Sequence, residues 1–384
     1  MHQMSIANLL SVTAALCLSV TAAAAAPEVT LTAPKTAWTL GTAQSAETTV
    51  RAAGLPASGP VRFALEGAGA GTGATKISAV FGGFKAGSST LKLNVGAEVP
   101  VGTYPLVVRA TSGSLTTTLA LQVNVERWLL VDADRSENNA VVTAAHRPDP
   151  KAKESALDTL MKQTLAGRAF DIYAVKRGSM TSDLPTIGGP GIATLRKYSG
   201  VLWYTGNQDY QIPLEQDLIN LRTFLDDDAR KLILSAPALV VNMAGAANVF
   251  QTTEPDANDL PAQREQRAFL KAVFGAAGYH GAYARDAYQV TPVAGSPLGA
   301  FGSLDVSGGN SLRVGFYPLD EPSVQRLVTG PLLNQQNIKS VGAVALGRHG
   351  LGPSHTSSGV FLGISPDVIK SPRVRAILQA LLAF

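Results

Sequence analysis

The apolar pattern of this chain changes period once, at Arg127, and that change restricts it to two dissimilar folding units. From Pro27 to Glu126 apolar residues alternate with polar ones in short runs: Glu28–Thr32, Thr48–Ala52, Val61–Glu66, Thr90–Val95, Pro105–Thr111 and Leu115–Val125. Alternation places every second side chain on one face, so each run reads as a strand with one buried side. Gly, Pro and Ser breaks at roughly 8–12-residue intervals predict a sandwich. From Arg127 onward, continuous apolar runs (Trp128–Asp132, Phe170–Val175, Gly200–Thr205, Lys231–Ser235, Val360–Ile364) alternate with runs of helical period. Helices are expected over Lys153–Gly167, Pro213–Asp228 and Gln263–Phe274, and from Ser371 to the end of the chain. Fully apolar strands separated by helices predict a parallel sheet covered on both faces. The stretch 278–346 is less regular and is expected as a β-rich insertion or an extension of the sheet.

Within the first unit, Val99-Pro-Val-Gly-Thr-Tyr-Pro-Leu-Val-Val-Arg-Ala110 resembles a late strand of bacterial immunoglobulin-like domains. The resemblance implies an all-β immunoglobulin-like sandwich over residues 27–126, with the Tyr104 hydroxyl satisfying a backbone group as at a tyrosine corner. Such a module is expected to act as a spacer, with glycan binding as an alternative. Trp38, its lone tryptophan, is expected to pack in the core or at its rim.

In the second unit, Leu129-Leu-Val-Asp-Ala-Asp134, Phe170-Asp-Ile-Tyr173, Tyr198-Ser-Gly-Val-Leu-Trp-Tyr-Thr-Gly206, Leu221–Ser235 and Val360-Phe-Leu-Gly-Ile364 together resemble a flavodoxin-like group related to class I glutamine amidotransferases. The resemblance spans most of residues 127–384 and implies a three-layer α/β domain of the degenerate, extracellular type. Active members hold a nucleophilic Cys on a Gly-x-Cys-x-Gly turn, activated by a His. Here the corresponding turn reads Leu234-Ser-Ala-Pro237, and the chain's single cysteine, Cys17, lies near its beginning.

Candidate chemistry is therefore sought at the carboxyl ends of the strands, where open α/β sheets bind ligands. Ser235 with His355 is the candidate catalytic pair, although Gly-x-Ser-x-Gly, the turn that exposes a serine nucleophile, is missing. Asp132, Asp134 and Glu137 follow the first strand and offer oxygen donors suited to Mg²⁺ or Ca²⁺. Asp132-Ala-Asp134 also resembles the first motif of haloacid-dehalogenase-type phosphatases, but Arg135 and Ser136 replace its usual continuation. Thr205, Asn207 and Asp209 form a second polar loop expected at the same edge, and with Asp132 and Asp134 they make up the candidate ligand-binding set. His146, His280 and His349 lack metal-ligand spacing, and Gly188-Gly-Pro-Gly191 reads as turn punctuation. No cofactor is expected.

Residues 1–26 read as a signal peptide, with an apolar stretch Ile6–Val20 and Ala-x-Ala choices ahead of Pro27, though without a basic n-region. No later segment has transmembrane length. The formal net charge of +4 on 384 residues forms no basic stripe, which excludes nucleic acid as the expected partner. The expectation is an exported protein of the periplasm, cell envelope or extracellular space, without catalysis of its own. Its amidotransferase-like domain would serve binding or assembly, with an envelope protein or cell-wall component as partner. The alternative is a secreted hydrolase, serine-type or metal-assisted.

Overall fold

The computed structural model describes residues 29–55, 60–134, 155–175, 188–206, 213–244, 251–284, 286–307, 311–333 and 339–384. The signal segment 1–26 and the candidates Glu137, Asn207, Asp209 and His146 lie outside them. Three sheets and comparatively few helices make the described chain mostly β. Among the described residues, no helix is long and apolar enough to cross a membrane.

The first unit consists of β1 (Thr30–Thr32), β2 (Ala37–Gly41), β3 (Ser45–Ala53), β4 (Arg62–Gly67), β5 (Ile77–Phe81), β6 (Ser88–Val95), β7 (Gly102–Ser112) and β8 (Leu115–Glu126). They form two four-stranded sheets, in the orders β1-β3-β6-β5 and β2-β8-β7-β4. Every pairing is antiparallel except β2 with β8. The alternating residues Val50, Leu91, Leu93, Leu106, Val108, Val123 and Val125 fill the space between the sheets. Trp38 joins this core, so the one tryptophan of the module offers no exposed platform. The Tyr104 hydroxyl donates to the Pro100 carbonyl at 2.8 Å, anchoring the approach to β7. β2 and β5 are not among the expected strands, because five residues supply only two or three inward positions, too few to read as a repeat.

The second unit runs β9 (Trp128–Asp132), α1 (Ala156–Thr164), β10 (Phe170–Ala174), α2 (Ile192–Leu195), β11 (Gly200–Tyr204), α3 (Glu215–Leu225), β12 (Lys231–Ser235), α4 (Pro237–Ala244), β13 (Gln251–Thr252), α5 (Pro261–Phe274) and β14 (Ala276–Ala284). It continues with β15 (Tyr288–Pro292), β16 (Leu304–Val306), β17 (Ser311–Pro318), β18 (Val324–Leu333), β19 (Lys339–Leu351), β20 (Ser357–Leu362) and α6 (Val374–Leu381). Strands β10, β9, β11, β12 and β20 lie side by side in that order, all parallel. Leu129, Val131, Trp203 and Leu234 pack on one face with α3 and α5. Trp128, Leu130, Leu202, Tyr204 and Ile233 pack on the other with α1 and α6. This two-sided burial is why the strands read as unbroken apolar runs.

Of the two expectations for 278–346, the structure shows the sheet extension rather than the insertion. Its strands β14, β17 and β19 continue the same sheet antiparallel beyond β20, and β15, β16 and β18 branch from β19. Gly188-Gly-Pro-Gly191 does more than turn the chain. A Cβ on Gly189 would meet the Trp203 ring at 2.1 Å, and the Gly189 amide donates to Asp217 at 2.7 Å. Gly189→Ala should therefore destabilise the second unit by about 1–3 kcal/mol through overpacking, measured by chemical denaturation. A change below a few tenths would show that the loop yields freely.

Candidate functional site

Register fixes the carboxyl edge of the parallel strands. Tyr204 pairs with Asp132 on one side and Ser235 on the other, so all three close their strands at one level and on one face. Asp134 lies two residues beyond β9, and its amide donates to Asp132 Oδ1 at 3.2 Å. The start of α1 supplies the remaining groups. Ser155 and Asp158 form a capping box: the Asp158 amide donates to Ser155 Oγ at 3.0 Å, and the Ser155 amide to Asp158 Oδ2 at 2.7 Å. Ser155 Oγ in turn donates to Asp134 Oδ2 at 2.7 Å, and the Tyr204 hydroxyl donates to Asp158 Oδ1 at 2.8 Å.

Asp132, Asp134 and Asp158 thus each bring a carboxylate oxygen within 4.8 Å of the others. Asp158 is fully buried and Asp132 is 6% exposed. Burial, then the charges of Asp134 and Asp158, push the Asp132 carboxyl up to about 8, while the Asp134 amide opposes the shift. Burial and the same carboxylates push the Tyr204 phenol well up, so it remains a donor. Asp158 sits at a helix N-terminus, where backbone N–H groups favour an anion. Such an all-oxygen set fits a hard divalent cation such as Mg²⁺ or Ca²⁺; the neutral alternative is a proton held on Asp132.

Asp158 and Tyr204 are site residues that the sequence candidates do not include. Ser155-x-x-Asp158 has capping-box spacing, which is the available signal. Nothing local in the sequence marks Tyr204, whose role depends on pairing with β9. Thr205, expected to contact a ligand, is fully buried, and its amide and hydroxyl both donate to the Ser235 carbonyl, at 3.0 and 3.4 Å. The next residue, Gly206, has φ +67°, and a Cβ there would lie 3.4 Å from Asp134 Cβ. The loop after β11 therefore approaches the acidic edge through its glycine.

The structure separates Ser235 from His355. Ser235 is fully buried at the carboxyl end of β12, and its hydroxyl has no hydrogen-bond partner among the described residues. It pairs with Leu362, the last residue of β20, whereas His355 precedes the first. The two therefore occupy opposite edges of the sheet, about 17 Å apart at 3.3 Å per residue. His355 is exposed, with φ 56° and its Nδ1 3.1 Å from the Gly350 carbonyl. No catalytic pair exists there. Of the other histidines, His280 is buried, and His349 stacks on Phe384 with ring centroids 3.7 Å apart. Asp227, in the acidic turn after α3, pairs with Arg196 at 3.1 Å and Arg230 at 3.6 Å.

No protein family model matches the chain, and no curated protein does. Solved structures similar to it include the titin M3 domain, at 22% identity over 25% of this chain and 97% of that one, with a TM-score of 0.19. The twitchin kinase region of C. elegans matches at 20% identity over 26% of this chain and 16% of that one, with a TM-score of 0.19. The titin M10–obscurin-like 1 immunoglobulin complex matches at 17% identity over 26% and 95%, again at 0.19.

The raised Asp132 carboxyl has a measurable consequence. Between about pH 4 and 8 the folded chain holds a proton that the unfolded chain releases, so this group's contribution to stability is complete below pH 4 and falls as pH rises towards 8. Asp132→Asn removes that dependence. Relative to the parent, it should gain at least about 1.4 kcal/mol between pH 5 and pH 8.5, the free energy of a tenfold difference in proton affinity. Denaturant titrations at both pH values with chelator present test this, and parallel profiles would refute it.

Proposed function

We propose that the chain is an exported two-module protein without hydrolytic chemistry of its own, in which an immunoglobulin-like spacer carries a binding or assembly domain. The second domain is read as a degenerate, flavodoxin-like relative of class I glutamine amidotransferases. Its parallel strands support this reading: numbered along the chain, their order is second, first, third, fourth, fifth, the flavodoxin-like arrangement. The observation that carries the absence of catalysis is the turn after β12. Where a nucleophile would stand exposed on a strained elbow, Ser235 is fully buried and runs into Pro237, the first residue of α4, with His355 at the opposite edge. Export rests on the signal-like residues 1–26 and agrees with a partner in the envelope or cell wall.

A second reading, metal-assisted chemistry, is favoured by the three carboxylates of Asp132, Asp134 and Asp158. A bound divalent cation would polarise a substrate oxygen or activate water there. The two readings part in one experiment. The purified chain, with millimolar Mg²⁺ or Ca²⁺ or with chelator, is offered ester, peptide and phosphomonoester substrates. The proposal expects turnover indistinguishable from buffer in every case. Cation-dependent turnover abolished by Asp134→Asn establishes the second reading, and cation-independent turnover abolished by Ser235→Ala refutes the first.

A further inference from the structure

Successive domains are ordinarily free to move, because linkers are flexible and interdomain contacts are small. The junction here has a different construction. β8 ends at Glu126 and β9 starts at Trp128, so one residue, Arg127, separates the last strand of the sandwich from the first strand of the parallel sheet. Both backbone groups of that residue are held. Ser199 Oγ accepts from the Arg127 amide at 3.1 Å, and the Ser199 amide donates to the Arg127 carbonyl at 2.8 Å. The Arg127 guanidinium pairs with Asp171 at 2.8 Å and lies over the Tyr198 ring.

A second set of contacts lies to one side of the joint. There the turn between β2 and β3 meets the turn between α1 and β10. Gln44 Nε2 donates to the Gly167 carbonyl at 2.9 Å, and Arg168 pairs with Glu126 at 2.8 Å while covering the Trp128 ring. Gly41 sits so close that a Cβ would meet Ala169 Cβ at 2.7 Å. On another side, a cleft of about 760 Å³ separates Thr103 and Asn124 of the sandwich from Asp228 and Arg230 of the sheet unit. Exposed ion pairs alone contribute about 0–1 kcal/mol each and would not stop bending. Stiffness comes from the backbone: two torsions remain at the joint, and Ser199 fixes the peptide groups on either side of them.

We infer that the two modules form one rigid arm, with the sandwich fixed at the amino edge of the parallel sheet and the Asp132 edge turned away from it. Opening of the cleft by rotation about Arg127 is thereby blocked. The inference concerns mechanics and holds whichever reading of the second domain is correct.

The test measures the distance between spin labels by pulsed electron resonance. The labels occupy exposed positions in the two modules, Val80→Cys on β5 and Arg375→Cys on α6, with Cys17→Ser removing the native thiol. The parent distribution is expected to be single and narrow. Inserting Gly-Gly-Ser-Gly between Glu126 and Arg127 should at least double its width, with both modules shown to remain folded by their amide spectra. A broad or two-peaked parent distribution overturns the inference. An insertion variant as narrow as the parent overturns the role of the one-residue joint. Small-angle scattering of the unlabelled chain gives an independent reading: one rigid shape must fit the whole curve, and a requirement for a mixture of shapes overturns the inference.

Discussion

The in-register parallel pairing of β9, β11 and β12 decides where the polar groups of the second unit stand. Pairing brings Asp132, Tyr204 and Ser235 to one level, although 103 residues separate the first from the last along the chain. A register slip of one residue would turn each strand over and carry these groups into the α3–α5 face. Trp128, Leu130 and Ile233 fill one core, and Leu129, Val131 and Leu234 fill the other. The placement of the acidic edge is thus a by-product of two-sided burial.

That edge places two buried carboxylates beside the half-buried Asp134, an arrangement that ordinarily expels charge as protonation. The load falls unequally because the three have different partners. Asp158 accepts from Tyr204 and the Ser155 amide at the start of a helix. Asp134 accepts from Ser155. Asp132 is buried, has Asp134 and Asp158 as anionic neighbours and shares a side-chain hydrogen bond with Asp134, and these together push its carboxyl up. A divalent cation would relieve the same repulsion. Proton and cation are therefore competing solutions to one electrostatic problem.

The sequence disclosed what depends on local periodicity. The inward residues of β3, β6, β7 and β8, the apolar strands of the sheet and the faces of α3 and α6 are all readable, because a period of two or 3.6 survives without knowledge of neighbours. It fails where position depends on pairing. His355 precedes its strand in the sequence, but only the parallel pairing of β20 with β12 shows that this end lies opposite Ser235. Thr205 reads as an exposed loop group, but pairing turns it onto the Ser235 carbonyl. Asp158 is legible locally only as the partner of Ser155 in a capping box; its contact with Tyr204 comes from a strand 46 residues further along.

The same distinction explains how the two modules are joined. A composition shift at residue 126 marks a boundary, and boundaries usually fall in exposed Gly/Pro-rich linkers. Here the boundary falls on the single residue between two strands, within Val123-Asn-Val-Glu-Arg-Trp-Leu-Leu-Val-Asp132, a run without Gly or Pro. A strand that passes from one sheet into another must satisfy two sets of hydrogen bonds, with β7 before Arg127 and with β10 and β11 after it. Those ladders leave no slack for a linker to absorb. The direction of β9 then puts its carboxyl end, and Asp132 with it, as far from the sandwich as the strand allows. Access to the acidic edge and attachment of the sandwich are assigned to opposite ends of one five-residue strand.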